Sequence, residues 1–135
     1  MNAITGFAHV ELSVSDIDAS SRWYCALLGA REVFRAPDEA EDLVACAIVE
    51  PKSGVVLAFT QHHQGDPGRA TAKRLGLYHV SFAVADLAGL EAWATRLDEL
   101  NIEHSPVRDY GYANAITFSD PDGIPLEFFW QKPRG

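Results

Sequence analysis

Two stretches of the sequence repeat one pattern: residues 7–17 read FAHVELSVSDI and residues 77–87 read LYHVSFAVADL. A repeat of this kind decides the architecture before any single element does. In each copy apolar and polar residues alternate after a histidine, His9 or His79, which predicts a half-buried strand. Ser15 or Asp16 can cap a helix after the first predicted strand, and Asp86 can cap one after the second.

Each half continues with the same order of elements. An apolar stripe after the aspartate predicts one amphipathic helix per half, with Gly29 as a left-handed stop for the first and Asn101 near the end of the second. Three strands are predicted after each helix, at 31–36, 43–50 and 55–60 and then at 103–107, 113–119 and 124–130.

The predicted fold is therefore α+β, with two paired βαβββ modules. The first module spans residues 1–60, a polar linker spans 61–76, and the second module spans 77–131. Because one such half cannot cover both faces of its small sheet, we expect the modules to form one curved mixed sheet around a cleft, with the helices outside.

Composition excludes several classes of partner. The 135 residues are 47% hydrophobic and carry a formal net charge of -8, so neither nucleic acid nor an anionic membrane is an expected partner. We expect no membrane span and no secretion signal, and hence a cytoplasmic protein. Cys25 and Cys46 are expected to be free, buried thiols, because two cysteines are too few for a disulfide framework.

Three polar side chains are candidates for one metal centre. His9 and His79 hold equivalent places at the two first strands, and Glu127 lies in the last strand, within DPDGIPLEFFW at 120–130. A lone histidine on a strand is usually structural, but a carboxylate in an apolar strand needs a partner. Two imidazoles and one carboxylate on one side of an octahedral ion leave positions open for water, substrate or dioxygen. These three residues are the predicted metal ligands.

These features resemble the vicinal oxygen chelate superfamily, which includes glyoxalase I, methylmalonyl-CoA epimerase, extradiol dioxygenases, fosfomycin-resistance thiol transferases and bleomycin-resistance binding proteins. The resemblance rests on HVELSV at 9–14, HVSFAV at 79–84 and FSDPDGIPLEFF at 118–129, and it extends over nearly the whole chain. It implies a divalent metal at the ends of the first and last strands. It also implies paired modules and frequent dimerisation, so a homodimer is expected.

The resemblance assigns three of the family's four metal positions to His9, His79 and Glu127. It places the fourth at Ala58, whose methyl group cannot bind a metal. Glyoxalase I and the epimerase resemble a four-ligand pattern, so Ala58 counts against both. A three-ligand set looks more like the dioxygenases and the fosfomycin enzymes, although Thr117 stands where the dioxygenase signature places a tyrosine.

Several neighbours of this trio have open roles. Glu11, two positions after His9, is a candidate catalytic base beside the metal or a fourth, weak ligand, and an exposed carboxylate at the rim is the simpler alternative. His62 and His63 could replace the missing ligand, although solvated histidines are commoner in a linker. The predicted substrate-binding residues, for which rim or core packing is an equal alternative, are Tyr110, Tyr112, Asn114 and Phe129.

Two classes of function follow. The first is a metal-dependent enzyme acting on a small oxygen-bearing organic substrate chelated to the metal, with dioxygenase chemistry first and lyase, isomerase or transferase chemistry next. Fe²⁺ is the first expectation for its cofactor, and Mn²⁺, Ni²⁺ and Zn²⁺ are alternatives. The second is a metal-free protein of the bleomycin-resistance type that sequesters an aromatic or cationic drug, aided by the acidic charge.

Overall fold

The computed structural model describes residues 2–66 and 68–134, and the chain divides into two compact units between residues 67 and 68. Each unit contains one helix and one four-stranded mixed sheet, which confirms the predicted α+β fold with two βαβββ modules. In the described part of the chain no helix has the length and apolar character needed to span a membrane.

The first unit consists of β1 (Val10–Ser13), α1 (Ile17–Leu28), β2 (Arg31–Asp38), β3 (Leu43–Val49) and β4 (Val56–His62). Its strand order is β1-β4-β3-β2, with β1 parallel to β4 and the other neighbours antiparallel. Asp16, one of the two predicted caps of α1, accepts a hydrogen bond from the Ala19 N–H at 3.1 Å through its carboxylate. The helix ends at Gly29, whose φ of 67° lies in the left-handed region that glycine adopts at little cost.

The second unit consists of β5 (Val80–Ala83), α2 (Leu87–Glu99), β6 (Arg108–Asp109), β7 (Ala113–Ser119) and β8 (Pro125–Gln131). Its strand order, β5-β8-β7-β6, repeats that of the first unit element for element, and β5 is parallel to β8. Asp86 caps α2 by accepting a hydrogen bond from the Gly89 N–H at 2.7 Å. Asn101, just beyond the helix, takes a positive φ of 57°.

The predicted strand at 103–107 is wrong. In its place the structure has an isolated bridge between His104 and Phe118, and the strand β6 begins only at Arg108. Pro106 lies in the middle of this stretch and has no N–H to donate to a ladder, so pairing cannot continue through it.

The strand β4 is longer than predicted. It continues to His62, two residues into the predicted linker, because His62 pairs in register with Leu43 at the start of β3. The other strand bounds agree with the predicted ones to within one or two residues.

Each sheet packs one face against its own helix. In the first unit the buried ring of Phe59 lies 4.8 Å from the ring of Tyr24 on α1. In the second unit Phe128 takes the equivalent place, and Trp93 on α2 stacks on it at 4.2 Å with only 13° between the ring planes. Side chains alternate along a strand, so Ala58 and Glu127, which directly precede Phe59 and Phe128, point to the opposite face of each sheet.

Candidate metal centre

The second unit brings two of the predicted ligands together. His79 immediately precedes β5, and Glu127 lies on β8, the parallel neighbour of β5. His79 Nε2 is 3.4 Å from Glu127 Oε1, and the Glu127 side chain is only 13% exposed. A carboxylate as sheltered as this one needs a partner, and the imidazole supplies it.

The first unit has a similar pair, built differently. His9 Nε2 lies 3.5 Å from Glu11 Oε1, and both side chains are nearly half exposed. Glu11 is the register partner of Ala58 on β4, just as Ser81 is the register partner of Glu127 in the second unit. The equivalence of Ala58 and Glu127, inferred from the sequence repeat, therefore holds in the sheet register.

Thr60 is a member of this group that the sequence predictions missed. Its Oγ1 donates a hydrogen bond to Glu11 Oε2, and the residue is 4% exposed. The repeat aligns Ala58 with Glu127, and Thr60 lies two residues beyond Ala58 on the same strand. Thr60 is therefore on the same face of the sheet, and this alternation was the available signal. The Glu11 carboxylate is thus held at one oxygen by Thr60 and faces His9 with the other.

The donor atoms of both pairs suit a divalent metal ion. With metal–ligand bonds of about 2.1 Å, two donors on one ion are about 3.0 Å apart in octahedral and about 3.4 Å apart in tetrahedral geometry. The separations of 3.4 Å and 3.5 Å require only a small adjustment to reach these values. Across residues 2–66 and 68–134, no three His, Cys, Asp or Glu side chains form a ready metal group, and the predicted trio is divided between the two units.

The alternative ligands His62 and His63 lie far from the position they would replace. His62 is four residues beyond Ala58 along β4, about 13 Å at the usual rise of a strand. His63 follows the strand, and its N–H donates to the Asp42 carbonyl at 3.1 Å. Neither residue can supply a ligand at Ala58.

The two cysteines are free thiols, as predicted, and Cys46 is buried whereas Cys25 is partly exposed. Burial raises the pKa of Cys46 to about 11, and burial also raises the pKa of Cys25. Both thiols are therefore protonated at neutral pH, which suits neither a nucleophile nor a metal ligand.

Three of the predicted substrate-binding residues are aromatic and accessible. Tyr110 and Tyr112 are 49% and 65% exposed, and the ring of Tyr112 lies 6.2 Å from the ring of Phe129. Phe129 is two residues beyond Glu127 on β8 and shares its face of the sheet.

Asn114 lies on the other face. It pairs in register with Trp130, so its side chain is on the side of Phe128 and away from Glu127. Asn114 is 8% exposed, and its Oδ1 has no hydrogen-bond partner among the described residues. The sheet register thus places Asn114 on the opposite face of the sheet from Phe129.

A comparison with known sequences places the chain in a family. Residues 6–128 match the profile of the Glyoxalase/Bleomycin resistance protein/Dioxygenase superfamily. The chain is 30% identical over 129 residues to biphenyl-2,3-diol 1,2-dioxygenase 2 of Rhodococcus globerulus, a match that covers 94% of this chain but only 63% of that enzyme.

Solved structures agree on the fold. A glyoxylase/bleomycin resistance protein/dioxygenase domain from Frankia sp. EAN1pec superposes with a TM-score of 0.87 at 28% identity, over 96% of this chain and 100% of that one. A mutant of the fosfomycin resistance protein FosX of Listeria monocytogenes, complexed with Mn(II) and 1S,2S-dihydroxypropylphosphonic acid, superposes with a TM-score of 0.70 at 19% identity, over 93% and 92%. The chain belongs to the glyoxalase/bleomycin resistance protein/dioxygenase superfamily.

Proposed function

We propose that this protein is a metal-dependent enzyme acting on a small organic substrate whose oxygens chelate the metal. Members of the superfamily typically depend on a divalent metal and bind small molecules. The observation that carries the proposal is the contact between His79 and the sheltered carboxylate of Glu127, an imidazole–carboxylate pair with donor atoms 3.4 Å apart. His9, the repeat equivalent of His79, is the third proposed ligand.

The proposed ligands have distinct tasks. The neutral imidazoles of His9 and His79 would each present a ring nitrogen, and Glu127 would supply negative charge. An ion held there would polarise the substrate's oxygens and stabilise the negative charge that develops on them. Phe129, on the face of Glu127, and Tyr112 would orient a planar substrate by ring contact.

Dioxygenase chemistry is the first choice of reaction, and lyase, isomerase or transferase chemistry is the next. The support is the 30% identity to an enzyme named for biphenyl-2,3-diol, since a planar diol suits both a chelating metal and an aromatic wall. Fe²⁺ is therefore the first choice of ion. Mn²⁺, which the FosX structure contains, comes next, and Ni²⁺ and Zn²⁺ remain alternatives. Thr117, the register partner of Glu127, occupies the position of the signature tyrosine, so a dioxygenase here would lack that group.

Metal analysis tests the metal centre. Protein purified without chelators should contain about one transition-metal ion per chain, and His79→Ala should lose it. His104→Ala is the matched control, because it removes a histidine of the same unit that pairs with Asp98 and lies outside the proposed site. A wild-type protein that takes up no Fe²⁺, Mn²⁺, Ni²⁺ or Zn²⁺ would refute the proposal.

Oxygen consumption tests the reaction. Protein reconstituted with Fe²⁺ without oxygen should consume dioxygen on addition of catechols, including biphenyl-2,3-diol, and His79→Ala should not. Metal binding without oxygen uptake on any catechol would leave the metal centre in place and favour the lyase, isomerase or transferase alternative.

A metal-free sequestering protein is the second candidate. The observation that favours it is the pair of exposed tyrosines, Tyr110 and Tyr112, on a chain with a net charge of -8, which suits a cationic aromatic ligand. Tight calorimetric binding of such a drug by metal-free protein, unchanged in His79→Ala, would support this candidate over the enzyme.

We further propose a cytoplasmic homodimer. Members of the superfamily are often dimeric, and two free thiols suit a reducing compartment. Size-exclusion chromatography with light scattering should give twice the mass of the 14.8 kDa chain. A monomeric mass at micromolar concentration would contradict the dimer.

A further inference from the structure

We propose that Glu11 is a metal ligand and that the first unit has its ligand carboxylate on β1 instead of β4. This inference rests on the proposed metal centre. It assigns Glu11 as the fourth ligand, in place of the side chain that Ala58 cannot supply. It does not depend on which reaction the ion supports.

The sheet register carries the first step. In the second unit the small residue Ser81 stands on β5 opposite Glu127 on β8, and in the first unit Glu11 stands on β1 opposite Ala58 on β4. The same pair of positions therefore holds one small and one glutamate side chain in both units, with the strands exchanged. Ala58 leaves the space on its face that a glutamate on the neighbouring strand needs.

The contact with histidine carries the second step. Glu11 Oε1 lies 3.5 Å from His9 Nε2, and Glu127 Oε1 lies 3.4 Å from His79 Nε2. The two carboxylates thus approach their histidines through the same atoms at nearly the same separation, although they arrive from different strands. Exchanging the strand has kept the imidazole–carboxylate pair intact.

The hydroxyl of Thr60 carries the third step. It donates a hydrogen bond to Glu11 Oε2, so the carboxylate cannot rotate freely and presents Oε1 toward His9. Carboxylates that bind metals are characteristically held by such outer hydrogen bonds. A carboxylate acting as a base needs an oxygen directed at a substrate proton, whereas Glu11 has one oxygen held by Thr60 and the other next to His9.

Titration with Mn²⁺, followed by the electron paramagnetic resonance signal of the free ion, tests the inference. Glu11→Gln should weaken Mn²⁺ binding at least about tenfold, the lower end of what loss of an outer-shell partner costs. Thr60→Val should weaken binding by a smaller factor. Glu91→Gln on α2, an exposed glutamate, should leave the Kd unchanged.

A relocation variant makes the test specific. Glu11→Ala combined with Ala58→Glu returns the carboxylate to β4 and should recover most of the affinity that Glu11→Ala loses. If the double variant binds no better than Glu11→Ala, the relocation is refuted and Glu11 only orients His9.

The outcomes separate this inference from the function on which it rests. Equal Kd values for wild type and Glu11→Gln, with binding abolished in His79→Ala, would overturn the role of Glu11 and keep the metal centre. A wild-type protein that binds no Mn²⁺ and no other divalent transition metal would overturn both. Circular dichroism of each variant confirms that a lost affinity does not reflect a lost fold.

Discussion

The two units share one order of strands, yet they place their polar side chains on different strands. In the second unit the carboxylate, Glu127, lies on β8 between buried neighbours and is 13% exposed. In the first unit Glu11 lies on β1, is 44% exposed and depends on Thr60 for its orientation. The comparison teaches that a repeat can keep its backbone register while its carboxylates stand on different strands of the ladder.

The same contrast extends to the cores. Phe59 and Phe128 occupy equivalent places, and each is at most 1% exposed. The ring of Phe59 contacts that of Tyr24, whereas Phe128 is surrounded by three rings, from Phe82, Trp93 and Phe118. The second unit therefore concentrates its core on one aromatic side chain.

The largest expected effect comes from truncating these two rings. Phe128→Ala should lower the free energy of unfolding by about 3–5 kcal/mol. Phe59→Ala should lower the free energy of unfolding by less. The difference should be about 0.5–1.5 kcal/mol for each ring contact that Phe128 makes and Phe59 does not. Urea unfolding followed by tryptophan fluorescence measures both, and Phe128→Leu replaces Phe128→Ala if the latter does not fold. Equal losses would show that the aromatic cluster adds nothing beyond buried area.

The next largest effect is a difference in stability between alanine variants of two equivalent glycines. Gly54 and Gly123 take φ values of 76° and 83°, so alanine is strained at both, at about 1–2 kcal/mol. A Cβ at Gly54 meets nothing within 4 Å, whereas one at Gly123 would lie 2.9 Å from the Ala70 carbonyl oxygen. Gly123→Ala should therefore lose about 1–3 kcal/mol more than Gly54→Ala, the usual range for overpacking. Thermal unfolding of both variants gives the difference, and equal losses would show that the segment at Ala70 yields freely.

The smallest effect depends on pH. In each unit an ion pair links the helix to a neighbouring segment. Arg35 pairs with Asp18 and Glu32 in the first unit, and His104 pairs with Asp98 at 2.7 Å in the second. The Asp98 carboxylate, together with the Ser105 carbonyl, raises the pKa of His104 above its ordinary value of 6.5. Arg35 stays charged throughout, so of these ion pairs only the one between His104 and Asp98 changes its charge near neutral pH.

Because the folded pKa of His104 is raised, its contribution to stability is complete below pH 6.5 and is lost as the pH rises through the folded pKa. Asp98 is 72% exposed, so the contribution is at most about 1 kcal/mol. Asp98→Asn should thus destabilise the protein at pH 5.5 and have almost no effect at pH 9, as measured by urea unfolding. A loss of stability that is the same at both pH values would contradict the ion pair.

The sequence predicts the repeated elements well because they depend on local signals. Alternation, a capping aspartate and a left-handed glycine are written within a few residues of each element, and aligning the halves also identifies Ala58 with Glu127. The strand at 103–107 fails for an equally local reason, since Pro106 interrupts an otherwise suitable stretch.

The site is less predictable because it depends on pairing between strands. Asn114 follows two exposed tyrosines in the sequence, but only its register with Trp130 shows that it points away from Glu127. The hydrogen bond from Thr60 to Glu11 spans 49 positions and requires that β1 and β4 be adjacent and in one particular register. The assignments of His9, His79 and Glu127 as one set of ligands remain predictions for the metal titrations to test.

The segment before β5 has a consequence for dissecting this protein into parts. The Ala70 N–H donates to the Asp122 carbonyl at 2.9 Å, and Arg69 donates to the Pro121 carbonyl at 3.0 Å, so this segment is fastened to the turn that leads into β8. A fragment that begins at the first residue of β5 would lack both hydrogen bonds and would expose the turn at residues 121–122 to solvent. For split-protein or module-exchange experiments, the second half should therefore begin no later than Gly68, well ahead of its first strand.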